Sequence, residues 1–409
     1  MVNATEPAEP PKVFRRHVIY LSGFDPQGPG HYHTLFVHEG AKQAAVAGYR
    51  LETGPRQRVD RLRSAWDVTM RMSDGVSQTR YEFFRWDDIV RQHWPRGRLG
   101  VVRATLRATW HMWRNGVMKH TLLTSWPMFT AANLPAALIL GLLMVVPLEL
   151  LAAFLMAQTH GAIVGGLMLA LMLAVTLKLA HWAEQRNNMA WLMRSFDCLV
   201  RQGQGEMPDL EDRLDRCAAH IAECVRSTDA DEVLVVGHSS GAMLAMSATA
   251  RALRQLAHEG VHSDRLSLLT LGQCSLLLSA QPEAQAYRSE LHTLLTAPAL
   301  CWIDYGAPPD GCAAALVDPT WPVHTGATGE RPPKLLNPQF ARGFDPRRYE
   351  TIRRDKFRCH FQYLMASERP GALDFFALVA GILSLNERHA LRPSVKDFRR
   401  FQMFGGPRR

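Results

Sequence analysis

Short apolar runs and longer amphipathic stretches alternate along most of this chain, and the pattern predicts alternating strands and helices. The predicted strands lie at residues 17–21, in a hairpin or two neighbouring strands between residues 66 and 86, and at residues 233–236, 266–271 and 299–304. Helices are predicted over residues 33–47 and 189–226, the second with a break near Gly203. Strands that alternate with helices are typical of an α/β fold, in which helices cover both faces of a mostly parallel sheet.

Two nearly continuous apolar segments interrupt this alternation. Residues 134–156 and 161–177 are separated by the polar break Gln158-Thr159-His160. As helices they would be about 34 and 26 Å long, each near the ~30 Å thickness of a bilayer's hydrocarbon core. We therefore predict a hairpin of two transmembrane helices, with a buried helical lid over a pocket as the alternative. Glu149 lies beside Pro147 toward the hairpin end, where a kink, snorkelling or protonation lowers the cost of a carboxylate near lipid.

Basic residues concentrate on the two flanks of the apolar segments. The chain carries a net charge of +9, and residues 91–119 combine arginines with tryptophans, which is typical either of an interfacial helix or of a solvated basic helix packed on its own domain. Lysine and arginine also follow the second apolar segment, whereas the turn between the segments contains neither, so we expect both soluble parts to face the cytoplasm. No nucleic-acid-binding motif accompanies the basic residues, and no nucleic-acid partner is expected.

Cysteine usage agrees with a reducing compartment. The seven cysteines form an odd set without a C-x-x-C pair, so neither a disulfide framework nor a zinc site is indicated, and no metal or cofactor is expected. The first residues lack the apolar core of a secretory signal and are predicted to form a disordered tail.

One segment joins a predicted strand to a predicted helix through a sharp turn. Residues 231–245 read DEVLVVGHSSGAMLA, in which an apolar strand, the pentapeptide Gly-His-Ser-Ser-Gly and a small-residue helix follow one another. This is the order of a nucleophile elbow, where a serine on a strained turn needs small neighbours two positions away on either side. Ser239 is therefore the predicted nucleophile. The pentapeptide alone also fits a turn in a nucleotide-binding domain, so the interpretation depends on the flanking strand and helix.

Together with the upstream segment HVIYLSGFDPQGPG, this elbow resembles the α/β-hydrolase superfamily of serine hydrolases. The similarity covers residues 11–86 and 232–383 and leaves the apolar hairpin as an insertion. It implies an α/β-hydrolase-like fold in which an acid and then a histidine follow the serine. The loop after the strand at 299–304 supplies Asp310 as the preferred acid, and Asp304 is the alternative. His360, in the family's final histidine loop, is the preferred base, and His324 is the second choice.

The resemblance also assigns the oxyanion contacts, which stabilise the charge that develops during acyl transfer. The backbone N–H of Ser240 is one donor by the geometry of the elbow, and that of Phe24, at the end of the first strand, is the other. Asp25 in the same loop is interpreted as the residue that closes an Asx turn. His238 is expected to line the pocket beside the nucleophile.

These observations predict a membrane-anchored serine hydrolase that cleaves an ester of an acyl lipid or another amphiphile through Ser239, His360 and Asp310. The alternative is a membrane scaffold or binding protein with an α/β-hydrolase-like fold and no catalysis. The expected location is the inner (plasma) membrane, with two spans and the catalytic domain facing the cytoplasm. The predicted organisation is a tail (1–12), two parts of the hydrolase domain (13–97 and 182–390), a basic juxtamembrane segment (98–130), the hairpin (131–181) and a basic tail (391–409).

Overall fold

The computed structural model describes residues 13–262, 264–320, 332–395 and 398–403. Its strands are β1 (Val13–Leu21), β2 (Arg50–Thr53), β3 (Gln57–Arg58), β4 (Arg63–Met72), β5 (Gly75–Phe84), β6 (Glu232–His238), β7 (Leu266–Leu271), β8 (Cys301–Tyr305) and β9 (Lys334–Leu336). Its helices are α1 (Pro29–Ala47), α2 (Asp87–Gln92), α3 (Arg98–Arg114), α4 (Val117–Thr124), α5 (Trp126–His160), α6 (Ala162–Asn187), α7 (Met189–Gly203), α8 (Pro208–Ser227), α9 (Ser240–His258), α10 (Ser275–Ser279), α11 (Gln285–Leu295), α12 (Pro346–Arg354), α13 (Lys356–Phe361), α14 (Phe375–Ala380) and α15 (Leu385–His389). The tail predicted for residues 1–12, and part of the one predicted for 391–409, lie outside the described residues.

The strands form one mixed sheet in the order β2-β4-β5-β1-β6-β7-β8-β9, with β3 paired to β4. From β5 through β9 neighbouring strands pair in parallel, whereas β2, β3 and β5 each pair antiparallel with β4. The α/β class and the mostly parallel sheet are thus confirmed, and the predicted hairpin is formed by β4 and β5. The hydrophobic pattern misses β2, β3 and β9, because these strands span only two to four residues and are too short to show a period.

Alternate residues of the central strands pack into two hydrophobic cores on opposite faces of the sheet. In β1, Ile19 and Leu21 join the core that includes α8 and α9, whereas Val18 and Tyr20 join the core that includes α1 and α14. The residues of β6 alternate in the same way, and the whole strand is buried. Strands buried on both faces are nearly continuous apolar runs, which is why β6 and β7 could be predicted from the sequence.

Helices α5 and α6 pack against one another and extend beyond both predicted apolar segments. Thr176 Oγ1 donates a hydrogen bond to Glu149 Oε1, and Gly165 lies against Ala153 and Ala157. Glu149 is therefore buried between the two helices. The most apolar 18-residue windows have mean hydropathies of 2.6 and 2.2, and only 17% and 6% of their residues are buried. Both helices are long and apolar enough to cross a membrane, and their exposed apolar surface favours this interpretation over a buried lid.

The basic segment over residues 91–119 is divided among α2, α3 and α4, which differs from the single helix expected from its pattern. One face of α3 is packed on the domain, where Arg107 forms an ion pair with Asp197 of α7 at 2.8 Å. The opposite face leaves tryptophans exposed, and the indole of Trp113 donates to Asn133 of α5 at 2.8 Å. These contacts connect the base of the α5–α6 pair to the soluble domain.

Candidate active site

The turn between β6 and α9 places Ser239 in a strained conformation. Its φ and ψ angles are 59° and −130°, and such a conformation in a residue other than glycine costs on the order of 1–3 kcal/mol. A Cβ at Gly241 would contact the main-chain carbonyls of Leu21 and Ser22, and one at Gly237 would contact the carbonyl of Gly241. The two glycines therefore let α9 begin directly against the end of β1, as expected for the small neighbours of an elbow serine.

His360 and Asp310 form a buried pair near this turn. Nδ1 of His360 lies 2.9 Å from Oδ2 of Asp310, and both side chains are at most 1% exposed. Because a carboxylate accepts the hydrogen bond, Nδ1 carries a proton, and in the neutral imidazole the lone pair is then on Nε2. The second carboxylate oxygen accepts from the backbone N–H of Cys312 at 3.0 Å, which fixes Asp310 in the loop after β8. The structure thus brings together the preferred acid and the preferred base.

The local structure around His360 differs from the expected loop. His360 lies on the short helix α13, which Asp355 caps by accepting the backbone N–H of Arg358 at 2.9 Å. A helix of six residues is less than two turns long and leaves no periodic signal in the sequence. Because α13 is anchored at its N-terminus, the imidazole is held at a fixed position opposite Asp310.

Ser239 follows β6 and Asp310 follows β8, and the end of β7 lies between these two strands. The backbone N–H of Ser239 donates to the carbonyl of Leu271 at the end of β7 at 2.9 Å. A Cβ on the next residue, Gly272, would lie 3.3 Å from Oδ2 of Asp310. Nε2 of His360 is buried and has no hydrogen-bond partner within the described part of the chain, so no hydrogen bond joins it to Oγ of Ser239. The structure therefore forms the acid-to-base contact and leaves the base-to-serine contact open.

His238 packs behind His360 and does not line the large cavity described below. Its Nε2 donates to the main-chain carbonyl of His360 at 2.9 Å, and the two ring centroids are 4.9 Å apart. Burial, and secondly the neighbouring His360, lower the pKa of His238 to about 3. A neutral His238 is thus positioned to hold the main chain of the predicted base.

The alternative acid and base are placed elsewhere. Asp304 lies within β8 and is fully buried, and its Oδ1 accepts a hydrogen bond from Thr270 Oγ1 at 2.6 Å. Burial raises the pKa of Asp304 to about 7, although hydrogen bonds partly offset the rise. Within the described part of the chain, Asp304 forms no hydrogen bond with His360, which is already paired with Asp310. His324 lies outside the described residues.

The segment that follows β1 lies directly beside the elbow. A Cβ at Gly23 would be 3.0 Å from Cβ of Ser239 and 3.4 Å from its Oγ. The side chain of Phe24 points away and stacks on Trp94, with 5.4 Å between the ring centroids. Asp25 closes the predicted Asx turn by accepting the backbone N–H of Gln27 at 2.9 Å. The backbone of this loop is therefore the part of the chain that approaches the predicted nucleophile.

Ser240, the other predicted oxyanion residue, is the first residue of α9. The first backbone N–H groups of a helix have no partner within it and lie at the positive end of the helix dipole. The backbone N–H of Ser240 is thus available to a ligand at the elbow, and this availability does not depend on its side chain.

An open cavity of about 990 Å³ lies between the base of the α5–α6 pair and the loop that carries Asp310. Trp191, at the start of α7, lines the cavity and lies between it and the predicted triad. Its ring centroid is 6.0 Å from that of His360, and its indole N–H donates to the carbonyl of Phe24 at 2.8 Å. The described lining includes neither Ser239 nor His360, and Ser239 is only 7% exposed. Trp191 therefore connects the cavity lining to His360 and to the loop of Phe24.

Sequence reasoning did not identify Trp191 as a site residue. It follows the second apolar segment, and a tryptophan near the end of a membrane span is typical of an anchor at the membrane interface. Its contacts with Phe24 and His360 connect residues more than 160 positions apart along the chain, so no local pattern predicts them.

Two groups of side chains have potential metal-ligand atoms within 4.8 Å of one another. They are Asp310, Cys312 and His360, and His17, His220 and Cys224. Burial raises the pKa of Cys312 well above its ordinary value and that of Cys224 to about 12. In the second group His220 also donates to Glu82 at 2.6 Å. These groups escape sequence analysis because their members come from distant segments with no ligand spacing between them.

Comparisons of the chain with protein-family models, with curated proteins and with solved structures found no match. The functional interpretation therefore depends on the geometry of the site itself.

Proposed function

We propose that this chain is a serine hydrolase of the α/β-hydrolase type, in which Ser239 is the nucleophile, His360 the general base and Asp310 the acid that orients it. The supporting observation is the strained serine at the end of β6 together with a buried aspartate–histidine pair whose histidine contacts His238, the residue before that serine. The chain order of serine, acid and histidine agrees with this fold type, and β6 and α9 flank the serine as an elbow requires.

The proposed reaction is hydrolysis of an ester through an acyl-enzyme. Oγ of Ser239 attacks the ester carbonyl while Nε2 of His360 accepts its proton, and the imidazolium then protonates the departing alcohol. In the second half, His360 removes a proton from water, which attacks the acyl group, and the proton returns to Ser239. Asp310 remains ionised and holds the Nδ1–H of His360. The unpartnered Nε2 of His360 is the proposed acceptor of the Ser239 proton.

The developing oxyanion would be bound by two backbone N–H groups. That of Ser240 belongs to the first turn of α9, and that of Phe24 to the loop that lies against the serine. Losing one such donor typically costs about 3 kcal/mol in the reaction barrier. Because both donors are backbone groups, substitution of the Ser240 side chain should leave them in place.

We infer that α5 and α6 form a transmembrane hairpin in the inner (plasma) membrane, with the hydrolase domain on the cytoplasmic side. Their exposed apolar surface and length support the two spans. The excess of lysine and arginine on the flanks, against none in the turn at residues 158–161, supports the orientation. The substrate would then be an acyl lipid or another amphiphilic ester that enters from the bilayer, since the cavity beside the site is walled by the start of α5.

A catalytically silent membrane scaffold with this architecture is the second candidate. Two observations favour it: Ser239 is only 7% exposed, and its hydroxyl forms no hydrogen bond with Nε2 of His360 in the described structure. In this case the strained turn and the buried pair would serve structure alone.

Ester hydrolysis by the purified full chain and two adjacent serine variants separates these candidates. The hydrolase proposal expects Ser239→Ala to abolish turnover of a p-nitrophenyl ester while Ser240→Ala retains most of it, because Ser240 contributes only its backbone. Full turnover by Ser239→Ala would refute the proposed mechanism. No turnover by the wild-type chain toward esters of short, medium and long acyl chains would support the scaffold.

A further inference from the structure

The cavity beside the site has an excess of basic side chains in its lining. Its described lining contains five basic side chains against a single carboxylate, Glu350. The basic residues are Arg186, Arg353, Arg354, Lys356 and Arg400. A concave surface with one sign of charge concentrates ligands of the opposite sign.

Glu350 neutralises only part of this charge. Arg353 donates to it at 2.9 Å and Arg354 at 2.7 Å, so both arginines share the one carboxylate. The remaining three basic side chains have no carboxylate partner among the described residues. They instead make contacts with neutral groups: Arg186 over the ring of Trp182, Arg400 over the ring of Phe401, and Lys356 to the carbonyl of Arg353.

The apolar part of the lining belongs mainly to the base of the hairpin. It includes Trp126, Pro127, Ala131 and Leu134 of α5 and Leu192 of α7. The C-terminal segment closes one side, where the carbonyl of Phe401 accepts the N–H of Trp126 at 3.1 Å. A molecule in the cavity would therefore contact apolar side chains continuous with the exposed surface of α5 and basic side chains on α12 and α13.

One of the basic residues, Lys356, is also connected to the predicted triad. Lys356 and His360 lie on the same short helix, α13, and Phe357 of this helix lines the cavity. On the other side of Trp191 lies His360, and the cavity lining includes Gly311 and Cys312, which follow Asp310. A ligand held by the basic residues would thus have its remaining atoms near Trp191, whose ring contacts that of His360.

We propose that this cavity binds an amphiphile with an anionic head group, phosphate or carboxylate, and that Arg186, Lys356 and Arg400 bind that group. This inference rests on the proposed function, because it names the substrate class of the same site. Arginine and lysine pair with phosphate and carboxylate through charge-assisted hydrogen bonds, which are stronger than those between neutral groups. The apolar wall holds the acyl chain and leaves the ester at the Trp191 side of the cavity.

Binding is measured on the full chain in neutral detergent with Ser239→Ala, so that a bound ester is not consumed. The two probes are fluorescent lysophosphatidic acid and lysophosphatidylcholine with the same acyl chain, which differ in the net charge of the head group. Inorganic phosphate is added as a competitor to separate an amphiphile site from one for free phosphate. The test variant adds Arg186→Gln, Lys356→Gln and Arg400→Gln, and the matched control adds Arg50→Gln, Arg56→Gln and Arg58→Gln, three exposed arginines near the β2 edge of the sheet.

The proposal expects tighter binding of the phosphatidic probe, weakened roughly 10- to 50-fold in the test variant and unchanged in the control. Equal binding of the two probes, or an unchanged affinity in the test variant, would overturn it. Inorganic phosphate that binds as tightly as the amphiphile would also overturn it, since the apolar wall would then contribute nothing. If the selectivity is found but the wild-type chain hydrolyses neither probe nor any other ester, the binding site stands and the hydrolase proposal fails.

Discussion

Asp310 and His360, fifty positions apart in sequence, meet at 2.9 Å in an interior where both side chains are at most 1% exposed. A buried carboxylate that accepts a hydrogen bond from Nδ1–H of a histidine fixes the tautomer of the imidazole. Nε2 is then free to act as the general base. Each residue comes from a different element, the loop after β8 and the helix α13, so the contact depends on the completed fold.

Replacing Asp310 by asparagine should lower kcat for ester hydrolysis by about 10³- to 10⁴-fold, because the amide can stabilise the wrong tautomer of His360 and cannot stabilise its cation. The matched control is Asp304→Asn, a buried aspartate that accepts a hydrogen bond from Thr270. Steady-state kinetics of the two variants decide between the acids. If Asp304→Asn lost activity and Asp310→Asn kept it, the assignment would be reversed.

The lowered pKa of His238 predicts that the folded chain loses stability in acid. Its pKa is about 3 in the folded chain against an ordinary value of 6.5, so between these values protons bind preferentially to the unfolded state. The contribution of neutral His238 to the free energy of unfolding is therefore fully present above about pH 6.5 and is lost progressively as the pH falls toward 3. Near pH 4.5 the loss is on the order of 2–3 kcal/mol.

Thermal unfolding in detergent at pH 7.5 and pH 4.5 measures this effect against His238→Gln, whose amide can still donate to the carbonyl of His360. The decrease in Tm on acidification should be smaller in the variant than in the wild type. Equal decreases would show that His238 does not titrate in this range.

Gly23 should be intolerant of any side chain for a reason specific to the site. A Cβ there would lie 3.0 Å from Cβ of Ser239 and 3.4 Å from its Oγ, so Gly23→Ala should displace the serine or the loop. We expect a decrease of at least about tenfold in kcat/KM, as small displacements at a reacting atom cost about that much or more. Gly30→Ala is the control, since nothing lies within 4 Å of its Cβ position. Wild-type activity in Gly23→Ala would argue against this loop as part of the site.

The topology of the hairpin can be tested with single cysteines and a membrane-impermeant maleimide. Thr159→Cys lies at the end of α5 near the turn, and Leu99→Cys lies in the soluble domain at a residue that is 86% exposed. In intact cells we expect labelling at residue 159 alone, and labelling at residue 99 only after the membrane is opened, because basic flanks remain in the cytoplasm. Labelling of residue 99 in intact cells would contradict the orientation, and labelling of neither residue after permeabilisation would contradict the exposure of both.

Much of the framework follows from the sequence because the determining signals are local. The run before Gly237 is buried on both faces and has no polar interruption until the turn. Gly241 is required by its approach to the main chain at the end of β1, and Gly237 by its approach to the main chain of Gly241 and Ala242. The hairpin of β4 and β5 likewise follows from local alternation of apolar and polar residues, and the two apolar helices follow from continuous apolar segments. For these elements, composition and periodicity are sufficient.

The rest depends on contacts between distant segments. The edge strand β3 is two exposed residues, and α13 is less than two turns, so neither shows a hydrophobic period. The cavity combines α5, α7, α12 and the C-terminal segment, and the position of Trp191 between it and His360 is a property of tertiary packing alone. Glu149 illustrates the same limit, because its burial against Thr176 requires the partner helix to be in place.

The central claim is that Ser239 is an activated nucleophile, and covalent labelling tests it most directly. The purified wild-type chain is treated with a fluorophosphonate probe, digested and analysed by mass spectrometry, with His360→Gln and Ser240→Ala treated in parallel. The account predicts one adduct, on Ser239, which is retained in Ser240→Ala and strongly reduced in His360→Gln. An unlabelled Ser239 in a folded wild-type chain, or an adduct that forms equally fast without His360, would contradict it.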